Sequence, residues 1–221
     1  MPGVRDNSDI TGMKIAAGAT NGSYAELRPG EQLRLRLLTE RHGCGTSPIR
    51  EALNSLVSAG LVERFDKRGF FVAGTSPEEF QDILTNRCFL EEEALRRSMA
   101  AGGADWEERV LVAHHRMTRV PRSRGSANAT INREWEEAHK RFHISLISAC
   151  DSPILIADCD KLYELNIRYR FQARTQSSQS RNVSVEHDRL KDLVLAGQTE
   201  SAVAALKDHY MKTGSFLIGQ P

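Results

Sequence analysis

The sequence predicts a mainly α protein in two parts: a small helix-turn-helix unit with a β-hairpin, then an all-helical bundle of six helices. Three observations carry this. Between Arg28 and Gly74 the elements are short and closely punctuated by glycine and proline. From Ser76 onward apolar residues recur at helical spacing over nearly the whole remaining chain. No run of 18 apolar residues occurs, so the helices are of a kind that buries one face in a bundle rather than spanning a bilayer. The expected organisation is an arm at 1–23, a first domain at 24–75 and a helical domain at 76–221.

Residues 1–23 are polar and contain glycine, with weak periodicity, and read as a poorly packed arm. In "RPGEQLRLRLLTER", Pro-Gly is followed by a short helical pattern through Leu35 and Leu38. "HGCGTSPIREALNSLVSAG" then makes a glycine turn and a second helix. Ser47 is the candidate N-cap, Pro48 suits the first turn, and Gly60 is placed to stop the helix. Ile49, Leu53, Leu56 and Val57 give this helix its apolar face. Two β-prone runs follow, Leu61 to Phe65 and Phe70 to Ala73, joined by the turn "DKRG". Helix, turn, helix, hairpin is the order of a winged helix-turn-helix. Its second helix enters the DNA major groove and its hairpin reaches the adjacent backbone. Segment 28–74 holds eight basic and five acidic residues, and Arg36, Arg50, Lys67 and Arg68 sit where phosphate contacts are expected. By pattern alone the same segment could be part of an α+β domain with solvated arginines.

The helical part opens on "SPEEF", with Ser76 as N-cap, Pro77 in the first turn and two acids behind it. One face continues through Phe80, Ile83, Leu84, Arg87, Leu90, Glu91 and Ala94 until Gly102-Gly103. Asp105 is the expected cap of a helix to about Val120, and "PRSRGSANAT" reads as a polar linker. Further helices are expected at about Asn132–Cys150, Pro153–Arg174, Ser184–Ala196 and Thr199–Leu217, separated by "DSP", "TQSSQS" and "GQT".

The formal net charge of +1 neither supports nor excludes nucleic-acid binding, which would need a local basic patch. Cys44, Cys88, Cys150 and Cys159 are scattered and form no C-x-x-C pair, which points to a reducing cytoplasm. The first 23 residues lack the layout of a secretory signal.

"WEEAHKRFH" places His139 and His143 four apart on one helix face, and His187 and His209 lie on later helices. Imidazoles converging in a bundle suit zinc, with nickel or manganese as alternatives. Spacing alone is weak support, because ordinary helices place histidines four apart by chance. His42, His114 and His115 read as solvent-facing. Arg87, and Arg168 or Arg170 in "RYRF", could hold a carboxylate through a bidentate guanidinium. Against that, Arg87 and Glu91 form an i,i+4 pair that could be purely structural, and Tyr169 and Phe171 read as core or pocket wall.

"TSPIREALNSLVSAGLVERFDKRGFFV" resembles the DNA-binding signature of the GntR family of bacterial regulators. "NRCFLEEEAL", "AHKRFHISLISACDSPIL" and "EHDRLKDLVLAGQTESAVAALKDHYMKT" resemble that family's FCD, or FadR-C-terminal, effector domain. The resemblance runs from about Arg28 to Leu217. "LRLRLLTERHG", "GGADWEE" and "RYRFQ" bring it nearer to the carbon-starvation-induced, glutarate-responsive repressor group. It implies a homodimeric repressor of double-stranded operator DNA, responsive to a small carboxylate bound in an FCD-like six-helix bundle. Arg36 and Arg50 match the family's phosphate- and base-contacting arginines, and Gly69 its wing-tip glycine. Where the family has Ser-Arg-Thr-Pro, this chain reads Gly45-Thr46-Ser47-Pro48, so Thr46 replaces a DNA-contacting arginine. The family's first helix is weakly matched by "KIAAGATNGSYAEL".

Metal-binding FCD domains use an acidic residue, a histidine four later and two histidines from later helices. His143, His187 and His209 fall on the histidine positions, while His139 replaces the acid. Such a set lacks a fixed negative charge, so a bound divalent cation would depend more on an anionic effector or water. Without a metal, the same histidines could donate hydrogen bonds to a carboxylate ligand. The alternative from another class is a metal-dependent hydrolase or lyase acting on small carboxylates. It lacks a convincing general base, a nucleophile elbow, a phosphate loop and an H-E-x-x-H motif.

Overall fold

In the computed structural model the described residues are 29–124, 130–174 and 182–218. The arm at 1–23 and the segment "KIAAGATNGSYAEL" lie outside them. The chain forms two compact units that divide between Thr75 and Ser76.

The first unit contains β1 (Gln32–Leu33), α1 (Leu35–His42), α2 (Thr46–Ser58), β2 (Val62–Phe65) and β3 (Gly69–Val72). The sheet order is β1-β3-β2 and both pairings are antiparallel. Strand β1 is not apparent from the sequence: two residues show no alternation, and the strand exists because Leu33 pairs with Phe70 and packs beneath it. The core is Ile49, Ala52, Leu53 and Leu56 from α2 against Val62, Phe70 and Val72 of the hairpin. Helix α1 ends at Gly43, whose φ of 63° is left-handed and whose N–H bonds to the Thr39 carbonyl at 2.9 Å. Helix α2 begins earlier than Ser47. Gly45 is the extended N-cap and supplies no side-chain cap, and Thr46 and Ser47 are already helical. Pro48 is still within the first turn, where its missing N–H costs no helical hydrogen bond.

Among the described residues the second unit holds six helices: α3 (Pro77–Ala101), α4 (Ala104–Thr118), α5 (Arg133–Ile147), α6 (Pro153–Arg174), α7 (Val183–Leu195) and α8 (Thr199–Ile218). Ser76 caps α3 as its sequence indicates, accepting from the Glu79 N–H at 3.0 Å. The cap of α4 is Gly103 rather than Asp105, which falls within the first turn. Gly102 permits this tight corner, since a Cβ there would lie 2.3 Å from the Trp106 ring. The expected linker contains a short ladder, β4 (Ser123–Arg124) against β5 (Thr130–Ile131). It is closed by tertiary pairing that polar composition does not reveal. Asn132 caps this return by donating to the Pro121 carbonyl at 2.6 Å. Helix α3 packs on α8 and α6, α4 on α5, and α7 on α8. Between them lies a core that includes Phe80, Leu84, Leu95, Phe142, Leu146, Leu190 and Leu206. No helix among the described residues is long and apolar enough to cross a membrane.

Candidate functional site

Four of the core stripes carry polar side chains where an ordinary bundle would carry leucine. On α5 the inward positions are Trp135, Ala138, His139, Phe142, His143 and Leu146, recurring every three or four residues. On α7 they are Val183, His187, Leu190 and Val194. On α8, Leu206 is followed by His209 and Tyr210, and on α3 Arg87 and Glu91 interrupt Leu84, Ala94 and Leu95. The sequence thus builds ordinary amphipathic helices and places titratable groups on their buried faces.

The four imidazoles converge. One ligand-capable atom from each of His139, His143, His187 and His209 lies within 4.8 Å of all the others, and all four residues are buried. His139 Nε2 stands 3.0 Å from His143 Nε2 and 3.1 Å from His187 Nε2. Each nitrogen has either one proton or one lone pair. His139 Nε2 therefore cannot form a good hydrogen bond to both neighbours if both present lone pairs and it has only one proton to give. A cation shared by the lone pairs resolves that conflict. In a four-coordinate zinc site with Zn–N of ~2.0–2.1 Å, neighbouring nitrogens lie roughly 3.3 Å apart, close to these spacings.

The outward nitrogens are also engaged. His139 Nδ1 lies 2.7 Å from the Tyr163 hydroxyl, His143 Nδ1 lies 2.8 Å from the Tyr210 hydroxyl, and His209 Nδ1 lies 2.7 Å from Glu186 Oε2. Such outer partners orient metal-ligating histidines and raise their basicity. Trp135 stacks on the His139 ring at 4.6 Å. The residues fit a divalent cation by donor type, convergence and outer support.

Arg87 lies beside the cluster. Its Nε donates to Glu91 Oε1 at 2.6 Å and its Nη1 to Asn166 Oδ1 at 3.3 Å, while Nη2 is buried without a hydrogen-bond partner among the described residues. Burial works against the charge. Glu91 and the nearby Tyr210 and Tyr163 oxygens outweigh it, so the guanidinium stays protonated beyond its ordinary range. The rings of Tyr210 and Tyr163 also face Arg87, at 4.0 and 4.8 Å from its guanidinium carbon. Tyr210 donates to Glu91, and burial pushes its phenol well above the usual value against the pull of Arg87. Arg87, His139, Asn166, His209 and Tyr210 border a cavity of about 10 Å³, roughly the room one water needs.

Arg168 and Arg170 belong to α6, but their side chains lie outside the described residues, as does that of Phe171. Tyr169 is buried against Phe80 and donates to Glu79, a wall position. His114 is not solvent-facing. It is 7% exposed, 3.0 Å from Asp188 Oδ1 and edge-on to Phe142, because α4 turns this residue onto α5 and α7. Burial and then Lys191 hold its pKa below the ordinary 6.5, against Asp188. His115 is exposed and His42 half-buried. Burial raises the Cys88 thiol to about 11 and that of Cys159 to about 12, so neither offers a thiolate.

Tyr163, Asn166, Glu186 and Tyr210 were not singled out by sequence reasoning. The available signal was periodicity: Tyr163 and Asn166 lie one turn apart on α6, and Tyr210 follows a candidate ligand on a stripe broad enough to bury both.

In the first unit, Arg36, Thr46, Ser47 and Arg50 are exposed on α1 and α2, and Lys67, Arg68 and Gly69 are exposed at the hairpin tip. Lys67 takes a left-handed φ of 57°, and Gln32 fixes the turn by donating to the Arg68 carbonyl at 2.8 Å. The Arg68 guanidinium lies over Phe65 and Phe71, at 5.5 and 5.3 Å. The tip is therefore an ordered cationic projection.

One unit carries an exposed helix and a charged hairpin, and the helical second unit carries a buried polar cluster, the form of a two-part DNA-binding regulator. The comparisons with known proteins name the class. Residues 23–72 match the model of the bacterial regulatory proteins of the gntR family, and residues 82–212 match the FCD domain. The chain belongs to the GntR family and is a transcriptional regulator of the FCD type rather than an enzyme. It is 33% identical over 206 residues to the HTH-type transcriptional regulator BphR of Paraburkholderia xenovorans, covering 93% of this chain and 83% of that protein. It is 32% identical over 188 residues to the HTH-type transcriptional repressor GlaR of Escherichia coli, covering 83% of this chain and 84% of GlaR. The solved structure of Escherichia coli McbR/YncC superposes with a TM-score of 0.77 over 98% of this chain and 99% of that one; at 17% identity this likeness speaks to the fold alone. The hydrolase or lyase alternative gives way to this family assignment.

Proposed function

We propose that the chain is a homodimeric, cytoplasmic repressor whose hold on operator DNA is altered by a small carboxylate, such as a dicarboxylate, bound beside a divalent cation. In this reading residues 24–75 bind DNA and 76–221 bind effector and dimerise. Arg36 and Arg50 meet phosphates and bases, Thr46 and Ser47 contact the groove at the start of α2, and Lys67, Arg68 and Gly69 meet the backbone at the wing. Two copies of α2 would occupy successive major grooves of a palindrome. His139, His143, His187 and His209 would hold the cation, zinc first and nickel or manganese as alternatives, and Arg87 with Arg168 and Arg170 would take the carboxylate. A cation there would supply a Lewis-acidic anchor for an anionic group.

The observation that carries the reading is the convergence of four buried imidazoles beside Arg87, whose buried Nη2 has no hydrogen-bond partner among the described residues. Four neutral imidazoles bring no negative charge of their own, so cation and carboxylate would bind best together. The small cavity adds a physical reason for response. A space of about 10 Å³ is far below the ~300 Å³ typical of ligand pockets, so an effector would enter only by moving the side chains or helices that border it. Such a rearrangement would be a difference between states that binding can favour. Resemblance to the repressor GlaR supports the sign of regulation.

The test is thermal shift of metal-stripped and zinc-loaded protein against a dicarboxylate panel, followed by DNA selection from a random pool. A ligand that stabilises only the zinc-loaded form and changes affinity for the selected DNA is expected. Stabilisation indifferent to metal, or no enriched DNA, would count against the reading.

A further inference from the structure

The hydroxyl of Tyr210 stands between Glu91, to which it donates, and His143 Nδ1 at 2.8 Å. Glu91 is ion-paired with Arg87 at 2.6 Å, and both side chains are 3% exposed. A carboxylate only accepts, and a phenol has one proton to give. That proton goes to Glu91, which leaves the phenolic oxygen as an acceptor. The group facing it on His143 is therefore Nδ1–H. A neutral imidazole has a single N–H, so His143 Nε2 keeps its lone pair. Nε2 is the atom that faces the cluster, 3.0 Å from His139 Nε2. Glu186 imposes the same order on His209 by facing its Nδ1 at 2.7 Å.

We infer that Tyr210 is a positioning residue: oriented by the Arg87–Glu91 pair, it holds His143 as the Nδ1–H tautomer and so presents Nε2 to a bound cation. This rests on the cation site proposed above. It also ties the arginine to the histidines through one unbroken series, Arg87–Glu91–Tyr210–His143. Structural packing alone would make Tyr210 replaceable by phenylalanine at the cluster, since the ring against Arg87 would remain. Tautomer control would not survive that change.

The experiment uses the full chain, metal-free, with nitrogen NMR of the labelled imidazoles and zinc titration of wild type and Tyr210→Phe. In wild type, His143 is expected with its proton on Nδ1. In Tyr210→Phe that preference disappears and zinc binds about 10–100-fold more weakly, with helical content retained. A wild-type His143 with its proton on Nε2 overturns the inference, and this result decides the matter even if Tyr210→Phe fails to fold. Wild type that binds zinc with Tyr210→Phe unchanged overturns the inference alone. Wild type that binds no zinc removes the cation site and this role for Tyr210 together.

Discussion

The two units of this regulator handle charge in opposite ways. In the winged unit, Arg36, Arg50, Lys67 and Arg68 are exposed, and the core beneath is wholly apolar. In the helical unit, Arg87, Glu91, the four clustered histidines and His114 are buried among leucines and aromatics. The first arrangement keeps binding separate from folding, because a solvated guanidinium can be removed without opening the core. The second makes the polar site part of what holds the helices together. Each buried group must keep its partners or lose several kcal/mol.

The largest expected effect comes from breaking a buried pair. Arg87→Met leaves Glu91 charged without its guanidinium and should cost about 3–5 kcal/mol, read as a lower midpoint in chemical denaturation. Arg96→Met breaks the exposed bidentate pair with Glu200, 2.7 and 3.1 Å, and should leave that midpoint nearly unmoved. Equal effects from the two would erase the distinction between buried and solvated charge.

Next in size is the winged surface. Arg50→Ala should weaken binding to selected DNA by about 1–3 kcal/mol, measured by fluorescence anisotropy, while thermal melting stays as in wild type. Loss of folding instead would mean that Arg50 belongs to the core's support.

The smallest effect concerns His114. Its folded pKa lies below the ordinary 6.5, through burial and Lys191. Above about 6.5 the residue is neutral in both states and carries no penalty. As pH falls below that value the unfolded chain takes the proton first, so stability declines until the folded pKa is passed. His114→Gln should flatten that part of the stability–pH curve, and an unchanged slope would assign the acid sensitivity elsewhere.

Much of this was legible in the sequence, for reasons that differ by element. Helical periodicity located all six helices of the bundle, since a face must bury at a period of 3.6 residues whatever it packs against. The hairpin was marked by β-branched and aromatic runs about "DKRG". Family position nominated His143, His187 and His209, and His139 joined them by its spacing on the same helix, where relatives place an acidic residue. Contacts made only across the fold were not legible. Tyr210 meets His143 across 67 residues and Arg87 meets Asn166 across 79. Strand β1 and the β4–β5 ladder are too short to show alternation. His114 was misjudged because a histidine beside a second histidine gives no sign of which one faces inward. Caps misled at Ser47 and Asp105 because a glycine just upstream took the extended conformation first.

The most direct test of the central claim, that the helical unit is built to hold a cation, is calorimetric titration of the metal-stripped full chain with zinc. The account predicts one ion per chain, with binding lost in His143→Ala and His187→Ala and retained in His115→Ala. No heat of binding in wild type, or binding that the His143 and His187 substitutions leave intact, would contradict it.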